Sequence, residues 1–216
     1  MATALSRPGQ VARQVILRDI SWETYERLLS EHGERSGTRF IYHRGMLEII
    51  IVSYRHEITN RIIASLVEML AEQLNIDVMG AGSTTFQRQD LASGFEPDSC
   101  FYIARAESMR GKDAVDLLVD PPPDLVIEID ITRPSLPRFP VFAGVGVPEV
   151  WRYDGSKVSV HQLDSNSGAY HETAQSAALP GVSGEVLTGF TEAGLTEKRH
   201  QWLKRVRAWA REAGRS

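Results

Sequence analysis

Between residues 124 and 131 the chain alternates without a break: Leu125, Ile127, Ile129 and Ile131 stand against Val126, Glu128 and Asp130. A period of two is that of a strand with one apolar face. The opposite face presents two acids, Glu128 and Asp130, roughly 6.6 Å apart along one side of the strand. Prolines 121–123 prevent helix immediately before it. Asp98, Cys100 and Tyr102 share a face by the same parity, and Pro97 before them suits a strand's first residue because it has no N–H for the ladder. If these two strands are neighbours, Asp98 and Glu128 meet. Asp124, on the strand of Glu128 but about 13 Å away, is too distant to share a metal ion with it.

Elsewhere the pattern changes period. Ile58, Ile62, Leu66, Met69, Leu70 and Leu74 fall at spacings of three and four, which predicts a long helix over 53–75 with Ser53 as its cap. Ser21 caps a shorter helix carrying Tyr25, Leu28 and Leu29, with Gly33 as its stop. Residues 38–43 and 46–52 are strands joined through Arg44-Gly45 as a hairpin, and Asp154-Gly155 turns a second hairpin between 147–153 and 157–163, with a further strand over 170–173. The glycine-rich stretch 77–87 reads as a bulged strand entering the central sheet, and 105–116 as a partly helical connection. Ser135 is placed to cap a helix that accepts Pro137 early, with Pro140 kinking or delaying it. Trp151 and Tyr153 share a core face, and His161 is expected on an exposed strand position.

The organisation expected is an arm over 1–19 ending in a strand, one domain over 20–190, and a basic amphipathic helix over 191–216 carrying Leu195, Trp202, Val206 and Trp209. The domain is of α/β class: a mixed central sheet with the 53–75 helix on one face and the Arg138 helix on the other, plus peripheral hairpins. No internal repeat is visible.

Carboxylates converging from adjacent strands suit a hard divalent cation that keeps several waters for a substrate phosphate. Pro97-Asp98 followed by Glu128-Ile129-Asp130 resembles the PD-(D/E)XK nuclease signature except at its lysine. Four runs in order, Gly82-Ser-Thr-Thr-Phe86, Gly94-Phe-Glu-Pro-Asp98, Asp120-Pro-Pro-Pro-Asp-Leu-Val-Ile-Glu128 and Gly146-Val-Pro-Glu-Val-Trp-Arg-Tyr153, resemble the Uma-type endonuclease family, which is restriction-endonuclease-like, over roughly residues 20–190.

That resemblance implies hydrolysis of nucleic-acid phosphodiesters, DNA in the first place, with magnesium or manganese held by Asp98, Glu128 and the carbonyl of Ile129. Asp130 would add a metal contact or orient the water. The resemblance also points to Glu48 as a third carboxylate, the alternative being an edge-strand acid facing water, and to His56 beside the active site, the alternative being a surface histidine near a helix cap. Where many family members carry lysine this chain has Arg138. An arginine can clamp a phosphate but stays protonated, so it cannot serve as a general base; the plainer alternative is an exposed arginine on a helix.

Composition narrows the picture less than the motifs do. An apolar content of 42% with 24% charged residues is that of a soluble globular protein. No apolar run approaches the ~18 residues of a membrane span, so no membrane partner is expected and a cytoplasmic location is the default. Cys100 is the one cysteine, which excludes an internal disulfide and a cysteine-based zinc site. The net charge of −4 argues against a surface that adheres to DNA throughout, yet residues 197–216 carry +5 and the rest −9. A nuclease-fold binding protein without cleavage and, more remotely, a metal-independent glycoside hydrolase are the competing functions. A homodimer addressing both DNA strands is the default assembly.

Overall fold

The computed structural model describes residues 13–33, 37–131 and 136–213. Residues 1–12 of the expected arm, and the expected cap Ser135, lie outside these. Strand β8 (Leu125–Ile129) is the alternating stretch, and it sits inside a six-stranded sheet ordered β11-β10-β9-β8-β7-β4. The others are β4 (Met79–Gly82), β7 (Ser99–Tyr102), β9 (Glu149–Tyr153), β10 (Val158–Asp164) and β11 (Ala169–Thr173). Only β8 and β9 run parallel among the described residues; helix α4 (Arg138–Val145) lies on the crossover between them. The β7–β8 pairing sets Ser99 opposite Ile127. Carried one residue further, this register puts Asp98 opposite Glu128.

The two faces of β8 part as their residues dictate. Leu125, Ile127 and Ile129 pack with Phe101, Trp151 and Tyr153 against the long helix α2 (Tyr54–Leu74). Ser53 caps that helix, its hydroxyl accepting from His56 N–H at 3.2 Å, and Asn75 closes it in the left-handed conformation. On the other face Val126, Cys100 and Val150 pack with Val141 and Phe142 of α4. Helix α4 begins only at Arg138, with Pro137 as its N-cap instead of inside its early turn, so the start is delayed as expected; Pro140 then falls in the first turn, where N–H groups have no intrahelical partner.

The hairpin joining β2 (Thr38–His43) and β3 (Met46–Ile51) is more than peripheral. It recruits β1 (Arg13–Leu17), β5 (Phe86–Arg88) and β6 (Ser93–Phe95) into a five-stranded antiparallel sheet, ordered β1-β3-β2-β6-β5. One face of it, through Ile41, Ile50, Phe86 and Phe95, lies against the α4 side of the larger sheet. The other face is covered by helix α1 (Trp22–His32), capped by Ser21 and stopped at Gly33. The glycine-rich stretch 77–87 therefore serves both sheets instead of entering one: β4 forms an edge of the six-stranded sheet, with a register shift between Gly80 and Gly82, and β5 an edge of the five-stranded sheet.

A short helix α3 (Ala106–Met109) follows β7. The single C-terminal helix expected from the sequence is two, α5 (Gly184–Thr196) and α6 (Arg199–Ala213), both packed on α2 through Leu187, Phe190, Trp202 and Val206. The Trp202 indole N–H donates to Phe190 C=O at 2.7 Å and locks the pair together. His161 is not exposed: half-buried, it lies tilted against the Phe139 ring, 4.8 Å between centres, and meets Ser159 Oγ at 2.9 Å. No helix among the described residues is long and apolar enough to cross a membrane.

Gly94 opens the run that ends at Asp98, and its place is set by Tyr25. A Cβ there would come within 2.3 Å of Tyr25 Oη and 2.8 Å of its ring. That ring cannot retreat, being fully buried and stacked on Tyr42 at 4.9 Å. Gly94→Ala is expected to destabilise the domain by about 1–3 kcal/mol, as overpacking does; denaturant unfolding measures it, and an unchanged midpoint would show that the Tyr25 ring yields.

Candidate active site

The residues predicted from sequence come together at one end of β7 and β8. Asp98 and Glu128 are 5% and 3% exposed. Asp98 Oδ2 accepts from Ile129 N–H at 2.8 Å and lies 3.2 Å from His56 Nε2. His56 is buried in the first turn of α2, so it is not a surface histidine. Glu128 Oε2 is ion-paired to Arg138 Nη1 at the start of α4. Arg138, its side chain 16% exposed, is correspondingly not a solvent-facing arginine.

Glu48 arrives from the other sheet. It lies on β3, between β1 and β2, in register with Ile16 and Ile41, and it is fully buried. By parity with Ile50 it faces the space between the sheets, which excludes the alternative of an edge acid in water. Its charge acts on Arg138 together with that of Asp98. Among the described residues, three buried carboxylates, Glu48, Asp98 and Glu128, thus gather about the Arg138 guanidinium. Asp130, just beyond β8, shares a cavity with Glu128, as the common face predicted, and is ion-paired to Arg152, whose Nε lies 2.9 Å from Asp130 Oδ2.

Two members of this constellation were not picked out from the sequence. Arg152 stands opposite Glu128 in the β8–β9 register. Its signal is the parity of Trp151-Arg-Tyr153: two core aromatics on one face put the arginine on the other. Asn60 is buried on α2, donating through Nδ2 to Asp98 C=O at 2.8 Å and accepting from Ser99 Oγ at 2.8 Å. Its signal is the spacing of four from His56, on the helix side that continues through Ile63 and Val67.

Burial sets the electrostatics. For Asp98, burial works to raise the pKa, but the hydrogen bond and charge of His56, the Arg138 guanidinium and the Ile129 N–H outweigh it, and the carboxyl is held below its ordinary value. Burial lowers the Arg138 pKa against the pull of Asp98 and Glu48, with Arg152 adding to the fall. Asp130 is raised by burial, which exceeds the opposing hydrogen bond and charge of Arg152.

Asp98 and Glu128 line different cavities. Asp98 borders a cleft of about 240 Å³ with Asn60, Arg61, Arg39 and Gly82. This cleft shares Arg39, Glu57, Arg61 and Ser83 with a groove of about 960 Å³ whose lining includes neither acid. Glu128 borders a cavity of about 180 Å³ with Asp130, Arg138, Arg152 and Phe139. Among the described residues no three His, Cys, Asp or Glu side chains are arranged to hold a metal ion. The donor chemistry nonetheless fits: Asp98 and Glu128 supply hard carboxylate oxygens, and magnesium commonly uses one or two carboxylates with waters and substrate phosphate for the rest.

A carboxyl whose folded pKa lies below its unfolded value stabilises the fold above the unfolded pKa and loses that contribution as pH falls through the folded one. Asp98→Asn is therefore expected to be less stable than the parent protein at neutral pH by about 1–3 kcal/mol. The two stability curves should converge as pH drops below the ordinary carboxylate range, which urea unfolding across a pH series would measure.

No curated protein matches this chain. The model of the family Uma2, described as "Putative restriction endonuclease", matches residues 22–196. That span takes in Glu48, His56, Asp98, Glu128, Asp130, Arg138 and Arg152, and so covers most of the chain together with every side chain gathered at the site: the protein belongs to the Uma2 family.

Proposed function

We propose that this protein is a divalent-metal-dependent endonuclease that hydrolyses nucleic-acid phosphodiester bonds, with DNA as the first substrate to try. One observation carries the reading: two buried carboxylates stand at opposed register positions at the ends of neighbouring strands, each met by a basic side chain at the start of a different helix. Family membership supports the substrate class.

In this reading Asp98, Glu128 and the Ile129 carbonyl hold magnesium or manganese. When bound, such a cation supplies positive charge at the scissile phosphate and makes water more acidic. His56 and the Ile129 N–H keep the Asp98 carboxylate ionised and aimed. Asn60, bonded to the Asp98 carbonyl and to Ser99, fixes the strand end against α2. Arg138 stabilises the negative charge that develops on the phosphate oxygens, a task suited to a permanently protonated fork of donors. Asp130, fastened to Arg152, orients the attacking water. Water oxygen bonds to phosphorus and gives up one proton to solvent as the ester P–O bond breaks, and the leaving oxygen takes one proton back from solvent, so none is gained or lost overall. Glu48 balances charge from the facing sheet.

Arg138 in place of lysine favours one competing reading, a nucleic-acid-binding protein that no longer cleaves, because the site then lacks a lysine able to exchange a proton. The glycosidase alternative wants a sugar-stacking surface. Among the described residues of the Asp98 cleft, Phe101 supplies the aromatic contact.

Incubating supercoiled plasmid with the protein and manganese is the direct test. Nicking is expected, and Asp98→Asn and Glu128→Gln should each reduce it by roughly 10²–10³-fold, the scale of losing one preorganised electrostatic group. Undiminished nicking in both variants would sink the assignment, and tight plasmid binding without nicking would select the binding protein.

A further inference from the structure

The guanidinium of Arg138 lies where a cation bound to Glu128 would lie, and its surroundings do not resemble those of a permanent structural ion pair. A buried arginine kept for stability uses its planar donors fully, since each one left without a partner in a dry interior is costly. Among the described residues, buried Arg138 Nε has no hydrogen-bond partner, and the side chain meets Glu128 Oε2 through Nη1 alone. What holds the side chain is charge: Glu128 in contact, with Asp98 and Glu48 acting on it and Arg152 opposing. Beside it lies the 180 Å³ cavity whose wall includes Arg138 itself, Asp130 and Phe139, room into which the guanidinium can turn.

Net charge alone would admit a dication together with Arg138. The obstacle is local. Glu128 Oε2 is shut off from solvent and covered by Nη1, and a cation at bonding distance from that oxygen, about 2.0–2.2 Å, would press against the guanidinium.

We propose that Arg138 is an internal cation that competes with the divalent metal for Glu128, so that the site takes up metal only as the guanidinium leaves the carboxylate. This rests on the metal-dependent reading above and deepens it. Arg138 thereby acts as a positioning residue that sets metal affinity before any chemistry occurs. Released from Glu128, the same side chain is free to engage the substrate phosphate, which links loading of the metal to arrival of the substrate.

The experiment is calorimetric titration of manganese alone into the full chain, beside Arg138→Lys and Arg138→Gln, with melting temperatures recorded with and without the metal. Competition predicts tightest binding in Arg138→Gln, by about tenfold or more over the parent protein given the strength of charge–charge contact away from water. Arg138→Lys, a point charge on a shorter stem, should fall between them. Without metal Arg138→Gln should melt lower, since its acids have lost their counter-charge, and manganese should raise its melting temperature more than it raises the parent's. Folding of Arg138→Gln only in the presence of manganese would be the same competition in its strongest form. Should it not fold at all, the comparison of Arg138→Lys with the parent carries the test. Equal or weaker binding in the variants, with the parent binding normally, would overturn the competition and leave the metal site standing. No binding in the parent or in either variant would overturn both.

Discussion

Taking Glu48, Asp98 and Glu128 out of water costs several kcal/mol for each ionised group, and the fold must offset that cost locally. Much of the architecture around the site answers this requirement. The start of α2 lies where His56 reaches Asp98, the start of α4 lies where Arg138 reaches Glu128, and the Ile129 N–H is given to a carboxylate. The smaller sheet then closes over the assembly and adds Glu48. An apolar interior of the same shape would be easier to stabilise, so the arrangement is best understood as retained for what it does.

The motif runs that mark the family do more structural than chemical duty. In Gly94-Phe-Glu-Pro-Asp98, Gly94 makes room for Tyr25, and Phe95 contacts both Phe86 and Phe142 at about 5 Å between ring centres. Glu96 accepts from Phe40 N–H at 3.1 Å and Thr85 Oγ at 2.7 Å. In the run ending at Tyr153, buried Glu149 accepts from Trp151 Nε1, Ser176 Oγ and Ala177 N–H, pinning the 175–179 loop to β9. Asp124 fastens the turn after β7 by accepting from Ile103 and Arg105 N–H. These carboxylates resemble catalytic ones in the sequence because the same demand, a buried acid surrounded by donors, makes both.

Local periodicity carried the sequence reading wherever one element decides its own structure. The β8 alternation, the Ser53 and Ser21 caps, the Arg44-Gly45 and Asp154-Gly155 turns and the burial of Trp151 and Tyr153 all follow from neighbours in the chain. The pairing of Asp98 with Glu128 was legible because both strands have clear parity. What was hidden depends on which distant strands pair. Glu48 could not be placed inside until β1 was known to flank β3, and the hairpin's growth into a second sheet needed the two three-residue strands β5 and β6, too short to show a period. The break between α5 and α6 escaped because the amphipathic pattern runs across it, while Glu197 in extended conformation interrupts the helix.

Asp98 and Glu128, neighbours in the sheet, look out onto separate cavities. A small molecule seated among Glu128, both arginines and Phe139 would therefore leave the cleft at Asp98 unobstructed, and one lodged against Arg39 and Arg61 would leave Glu128 untouched. Small molecules found by screening for binding should accordingly fall into two groups, able to bind together, and a substitution that blocks one group should leave the other unaffected.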